Sequence, residues 1–72
     1  MFADEERERV LPGTKLIAVD TRGIRNLTEG KTYNAIHGWE QGIFETRPYV
    51  TVVNDKGIHY SCYLSRFKIK EN

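Results

Sequence analysis

The stretch Tyr49-Val50-Thr51-Val52-Val53 is β-branched or aromatic at every position and runs directly into Asn54-Asp55-Lys56-Gly57. Such side chains suit a pleated, half-buried surface. The polar residues that follow end in a glycine able to take positive φ, which is the chemistry of a hairpin turn. Ile58-His59-Tyr60-Ser61-Cys62-Tyr63-Leu64 is then the return strand. Its alternation puts Ile58, Tyr60, Cys62 and Leu64 on one face and His59, Ser61 and Tyr63 on the other. An isolated hairpin is marginal in water, so the rest of the chain must supply partners for it.

Those partners also read as strands. Leu16-Ile17-Ala18-Val19 is a short apolar run between Lys15 and Asp20, the mark of a buried strand. Thr21-Arg22-Gly23 breaks it, and Leu27-Thr28-Glu29-Gly30-Lys31 makes a second turn region. Thr32-Tyr33-Asn34-Ala35-Ile36 alternates, with Tyr33 and Ala35 on one face. Residues 37–48 are irregular, with Gly38, Gly42 and Pro48. Leu64-Ser65-Arg66 suits a single 3-10 turn before a last strand, Phe67-Lys68-Ile69. Five short strands in 72 residues must bury one face and manage their edges, and curling into a small barrel does both. The expected fold is all-β, a five-stranded barrel over residues 13–70 with a short 3-10 turn before its last strand. Residues 1–12 lack alternation, carry four acids and two bases, and close on Pro12-Gly13. They read as a flexible charged tail.

Length and charge narrow the function classes. At 72 residues, 39% hydrophobic and 29% charged, the chain is one small domain rather than a disordered segment. Its apolar runs stop far short of the roughly 20 residues that a membrane helix needs, so no membrane partner is expected. Its start, Met1-Phe2-Ala3-Asp4-Glu5-Glu6-Arg7, is acidic where a secretory signal is basic and then apolar, so the expected location is the cytoplasm. Net charge is +1: residues 1–12 sum to −2, and residues 13–72, with nine bases and six acids, sum to +3. That excess is small for a dedicated nucleic-acid binder.

The strand order and loop lengths resemble the SH3-like barrel family over residues 14–70. Leu27-Thr28-Glu29-Gly30-Lys31-Thr32-Tyr33 is similar to the diverging turn after the first long loop, and Asn54-Asp55-Lys56-Gly57 to the distal hairpin. More narrowly, Leu-Thr-x-Gly-Lys-x-Tyr followed by a terminal Ser65-Arg66-Phe67 is similar to small SH3-like proteins of bacteriophage genomes. The resemblance implies a phage-encoded module acting in the host cytoplasm by contact with a host protein. The Ala-Leu-Tyr-Asp-Tyr and Trp-Trp aromatics that grip Pro-rich peptides are missing, so PxxP recognition is not expected.

No catalytic constellation survives its spacing. Glu29-Gly30-Lys31-Thr32 ends like a phosphate loop, but Arg25 stands where the first glycine belongs and no helix follows. Ser65-Arg66-Phe67-Lys68 has Ser-x-x-Lys spacing but enters a strand, where Lys does not stack over Ser. Cys62 and His59 are three apart, hence on opposite faces of one strand. His37, His59 and Cys62 match no zinc motif. The chain therefore reads as a non-enzymatic, monomeric binding module that needs neither cofactor nor metal.

Its binding residues are sought among loop aromatics and arginines. Trp39 and Phe44 sit in the polar segment His37-Gly38-Trp39-Glu40-Gln41-Gly42-Ile43-Phe44, with Arg47 and Tyr49 at its exit. A Trp in such a loop either covers a small core or anchors a partner. Trp39, Phe44, Arg47 and Tyr49 form the expected protein-binding surface. The alternative is weak nucleic-acid binding through phosphate contacts from Arg22, Arg25, Lys31 and Arg66, with Lys15 and Arg47 near them.

Overall fold

The computed structural model describes residues 8–41 and 47–71. They form an all-β fold of five strands: β1 (Lys15–Ala18), β2 (Thr32–Asn34), β3 (Tyr49–Val53), β4 (His59–Tyr63) and β5 (Phe67–Ile69). A 3-10 turn, Leu64–Arg66, joins β4 to β5. β1 lies between β2 and β5 in a three-stranded antiparallel sheet, and β3 and β4 form a second antiparallel pair. The sheets meet where β2 runs on toward β3: Ala35 bridges Val52 and Glu40 bridges Tyr49, and the Ile36 N–H donates to the Thr51 carbonyl at 2.8 Å. The ladder does not close on itself, so β4 and β5 are each hydrogen-bonded to one neighbouring strand only.

Alternation places the core. Leu16 and Ala18 of β1, Tyr33 and Ala35 at β2, Val50 and Val52 of β3, Leu64 and Phe67 all point inward and are buried. The Tyr33 and Phe67 rings meet edge to face, 6.4 Å apart at 70°. No polar or charged residue is buried among the described residues. Two apolar residues depart from the expected faces. Val19 is exposed because the chain has already turned to the 3-10 segment, with the Val19 and Asp20 N–H groups donating to the Arg66 carbonyl at 2.8 and 3.2 Å. Ile58 is 59% exposed: it closes the turn, its carbonyl accepting from the Asn54 N–H at 2.9 Å, and lies outside β4.

The division at residue 12 needs correction. Residues 1–7 lie outside the described residues, but Val10 is 1% exposed and belongs to the core. Thr14 folds this segment back: the Leu11 N–H donates to Thr14 Oγ1 at 2.9 Å and Gly13 N–H to the Ala35 carbonyl at 2.8 Å. Gly38 lets the two segments approach, since a Cβ there would stand 3.0 Å from the Val10 carbonyl oxygen. The single apolar residue of Glu8-Arg9-Val10 gives no periodicity, which is why composition hides it.

One carboxylate ties the hairpin to the opposite loop. Asp55 Oδ1 accepts from Lys31 Nζ and from the Tyr33 hydroxyl, each at 2.8 Å, and Oδ2 accepts from Thr28 Oγ1 at 2.9 Å. The Tyr33 hydroxyl in turn accepts from the Thr28 N–H at 2.7 Å. The Asp55 N–H donates to the Asn26 carbonyl at 2.8 Å, and Asn26 holds φ of 65°, a left-handed conformation asparagine tolerates. The turn itself is set by Asn54, whose Oδ1 accepts from the Lys56 and Ile58 N–H groups at 3.0 Å, and by Gly57 at φ 77°.

Adjacent residues test the corrected boundary. Val10→Ala removes two buried methyl groups and is expected to cost roughly 1.5–2.5 kcal/mol in denaturant unfolding. Leu11→Ala, at a site 60% exposed, is expected to stay within about 0.5 kcal/mol. Equal effects would return Val10 to a solvated tail.

Candidate functional site

The first long loop is pinned to the 3-10 turn by two arginines sharing one aspartate. Arg66 Nη1 donates to the carbonyls of Asp20 and Arg22 at 3.3 and 3.1 Å and lies 3.6 Å from Asp20 Oδ1. Arg22 grips the same carboxylate, Nε and Nη2 each donating at 3.1 Å and its N–H at 3.2 Å. The Ile24 N–H closes the loop onto the Thr21 carbonyl at 3.0 Å. Residues 23 and 24 are thereby held across from β4.

Between them lies an open groove of about 440 Å³, within the range of about 300–1,000 Å³ usual for ligand sites. Gly23 and Ile24 make one wall, and Tyr60, Ser61, Cys62 and Tyr63 of β4 make the other. Tyr49 and Arg66 complete the lining. Tyr49 pairs with Tyr63 across the two strands, on the face opposite the buried Val50, and the Arg47 guanidinium sits 5.1 Å above the Tyr63 ring. Cross-strand aromatic pairs and cation–π contacts of this kind pre-order large side chains at a surface.

The expected binding residues divide accordingly. Arg47 and Tyr49 come together with Tyr63 at the groove. Trp39 is half-buried and packs against the core, its backbone N–H donating to the Val10 carbonyl at 3.4 Å. Phe44 lies outside the described residues. The expected phosphate contacts do not form an open basic patch. Arg22 and Arg66 converge on Asp20, Lys31 pairs with Asp55 at 2.8 Å, and Arg25 is exposed with no ion pair among the described residues. Ile24 and Tyr60 were absent from the expected set. The register counted back from the hairpin turn brings Tyr49 opposite Tyr63, but no local pattern brings residues 23 and 24 to β4.

Titration behaviour follows from these contacts. The Arg22 side-chain hydrogen bonds, then its backbone N–H and the charges of Arg22 and Arg66, hold the Asp20 carboxyl at about 2 against the ordinary 3.8, with desolvation opposing. The hydrogen bond from Lys31, followed by those from Tyr33 and Thr28, lowers Asp55 against its own desolvation. Burial raises the Cys62 thiol to about 11, outweighing the nearby Arg66 charge, so at neutral pH it is a protonated apolar filler rather than a nucleophile. Cys62 faces inward opposite Val50 while His59 points outward opposite Val53. Among the described residues no group of three or more His, Cys, Asp or Glu is placed to hold a metal ion, and no helix is long and apolar enough to cross a membrane.

The chain matches no protein-family model, no curated protein and no solved structure.

Because the folded values of Asp20 and Asp55 lie below their unfolded ones, the stability they contribute is complete above about pH 4. It is lost as pH falls through the folded values, which for Asp20 means from about 4 down to about 2. Carboxyl-carbon NMR titration is expected to show Asp20 near 2, rising toward 3.8 in Arg22→Ala. An Asp20 midpoint near 3.8 in the unaltered protein would contradict the shared-carboxylate arrangement.

Proposed function

We propose that this chain is a non-enzymatic protein-binding module of SH3-like five-stranded barrel architecture, phage-encoded, that acts as a monomer on a host protein in the host cytoplasm. The architectural part is supported by the order β5-β1-β2 in one sheet and β3-β4 in the other. The Ala35–Val52 bridge joins the two sheets, and the 3-10 turn stands between β4 and β5. The observation that carries the functional part is the groove between residues 23–24 and β4, where Tyr49, Tyr60 and Tyr63 gather beside Arg66. Tyrosines and arginines are the residue types that concentrate binding energy in protein interfaces, since they offer large contact area with a polar end.

The site therefore shifts from the one expected. Arg47 and Tyr49 stay in it, Trp39 lies outside its lining, and Tyr63 and Ile24 join it. Phosphate binding is the weaker reading. Arg22 and Lys31 already hold carboxylates at hydrogen-bond distance, and a phosphate would have to displace them.

Affinity capture from host lysate, with and without nuclease, tests this. The expected result is a protein retained after nuclease treatment and at raised salt, and lost when Tyr49→Ala and Tyr63→Ala are combined in a variant that keeps its fold. A hot-spot aromatic is worth about 2 kcal/mol or more, so each single variant is expected to weaken capture roughly thirtyfold. Capture that vanishes with nuclease, or falls steeply with salt, would favour the phosphate reading instead.

A further inference from the structure

The groove is lined by side chains from both faces of β4: Tyr60 and Cys62 from the inner face, Ser61 and Tyr63 from the outer. A cleft that meets both faces of a strand runs along its edge. The hydrogen-bond parity identifies that edge. The Asn54 N–H donates to the Ile58 carbonyl and the Leu64 N–H to the Pro48 carbonyl, at 2.9 and 3.0 Å. Even-numbered residues of the return strand thus spend their backbone groups on β3, and odd-numbered ones turn theirs away. On the far side of β3 the odd positions are used, Tyr49 pairing with Glu40 and the Thr51 carbonyl accepting from Ile36. The N–H and C=O groups of His59 and Ser61 point away from β3, those of Ser61 at the groove, and no backbone partner for them occurs among the described residues.

Exposed edges are ordinarily defended by lysine, proline or a bulge. The other edge, β5, is defended: Lys68 lies within it and Lys70 follows, both exposed. β4, with sequence HYSCY, has no such residue.

We propose that β4 accepts an extended segment of the partner protein as an added strand, lying between β4 and residues 23–24, with apolar side chains on successive positions and a carboxylate near Arg66 and Arg47. This deepens the groove reading above and rests on it. Residues 23 and 24 lie along the same edge, so in a symmetric β4-to-β4 pairing the two copies' loops would occupy one slot. A single slim chain fits where a second sheet does not. One side of the added strand faces Tyr49 and Tyr63, the other Ile24 and Tyr60, so both sets of its side chains meet apolar or aromatic surface. Charge supplies the rest. Among the described residues the hydrogen bonds given by Arg66 come from Nη1, which also lies 3.6 Å from Asp20 Oδ1, and Arg47 stacks on Tyr63 with no carboxylate partner among the described residues.

The test is selection from a library of random dodecapeptides on the full chain, followed by anisotropy measurements on an enriched peptide. The expected peptide is apolar at successive positions and flanked by Asp or Glu. N-methylation along it weakens binding about tenfold or more at every second residue and little between, because only alternate amides reach β4. Ser61→Pro removes an edge donor that the β3 ladder does not use and is expected to weaken binding by a similar factor. N-methylation decides the matter even if Ser61→Pro fails to fold. Binding indifferent to N-methylation but lost in Tyr63→Ala would overturn strand addition and leave the groove reading standing. No enriched peptide, or binding untouched in both Tyr49→Ala and Tyr63→Ala, would overturn both. A concentration-dependent dimer in sedimentation, abolished by Ser61→Pro, would assign the edge to a second copy and overturn the partner-segment proposal.

Discussion

The Asp55 carboxylate is the constraint on which the rest of this fold leans. A chain of 72 residues has little core to spare, and the two sheets share few ladder bonds beyond the Ala35 and Glu40 bridges. Asp55 sits at the tip of the β3–β4 hairpin and accepts from Lys31, Tyr33 and Thr28 of the opposite loop. Its own N–H reaches the Asn26 carbonyl. One short side chain thus fixes the hairpin against β2 and orients Tyr33, whose ring carries the edge-to-face contact with Phe67 at β5. Hydrogen bonds to a charged acceptor are the stronger kind, and three donors to one carboxylate, with the Asp55 N–H donating to Asn26, leave the turn a single place to dock.

A second carboxylate, Asp20, does the same work at the other end of the first loop. It draws Arg22 and Arg66 together, so the loop's start is tied to the 3-10 turn while its end is tied to the hairpin. Residues 23 and 24 are suspended between these two anchors. The groove owes its shape to that suspension. Its wall stands off β4 because the loop is held at both ends and touches the strand at neither. Two acids that a charge count would treat as surface decoration thereby position the wall of the candidate site.

The strands were legible because their alternation is local. Tyr49 to Val53, the turn at Asn54 and the inward set Tyr33 and Ala35 follow from side-chain type and a period of two, and the structure carries them unchanged. The 3-10 turn at Leu64 was legible for the same reason. Val10 was not, since Val10-Leu11 between Arg9 and Pro12 is too short to show a period, and its burial depends on Gly38, distant in sequence, leaving room for its backbone. Trp39 could be read either way from sequence, and in the structure it is half-buried against the core. The groove was illegible in a different sense. It is made by residues 23–24 meeting β4, a juxtaposition set by the Asp20–Arg66 tie, and nothing in the spacing of either segment encodes it. The open edge of β4 lay within reach of sequence, because the hairpin register fixes which amides turn outward, but knowing that no strand covers them requires the whole topology.

The central claim is that β4 presents an open edge to the groove, and amide hydrogen exchange reads that edge residue by residue. In the free protein the Tyr60 and Cys62 amides, bonded to β3, are expected to exchange at the slow rate of the core. Those of His59 and Ser61, in the same strand, are expected to exchange orders of magnitude faster. Alternation along a single strand would establish that its outer side is unpaired. Slow exchange at Ser61 equal to that at Cys62 would mean the edge is already covered, and would contradict the account.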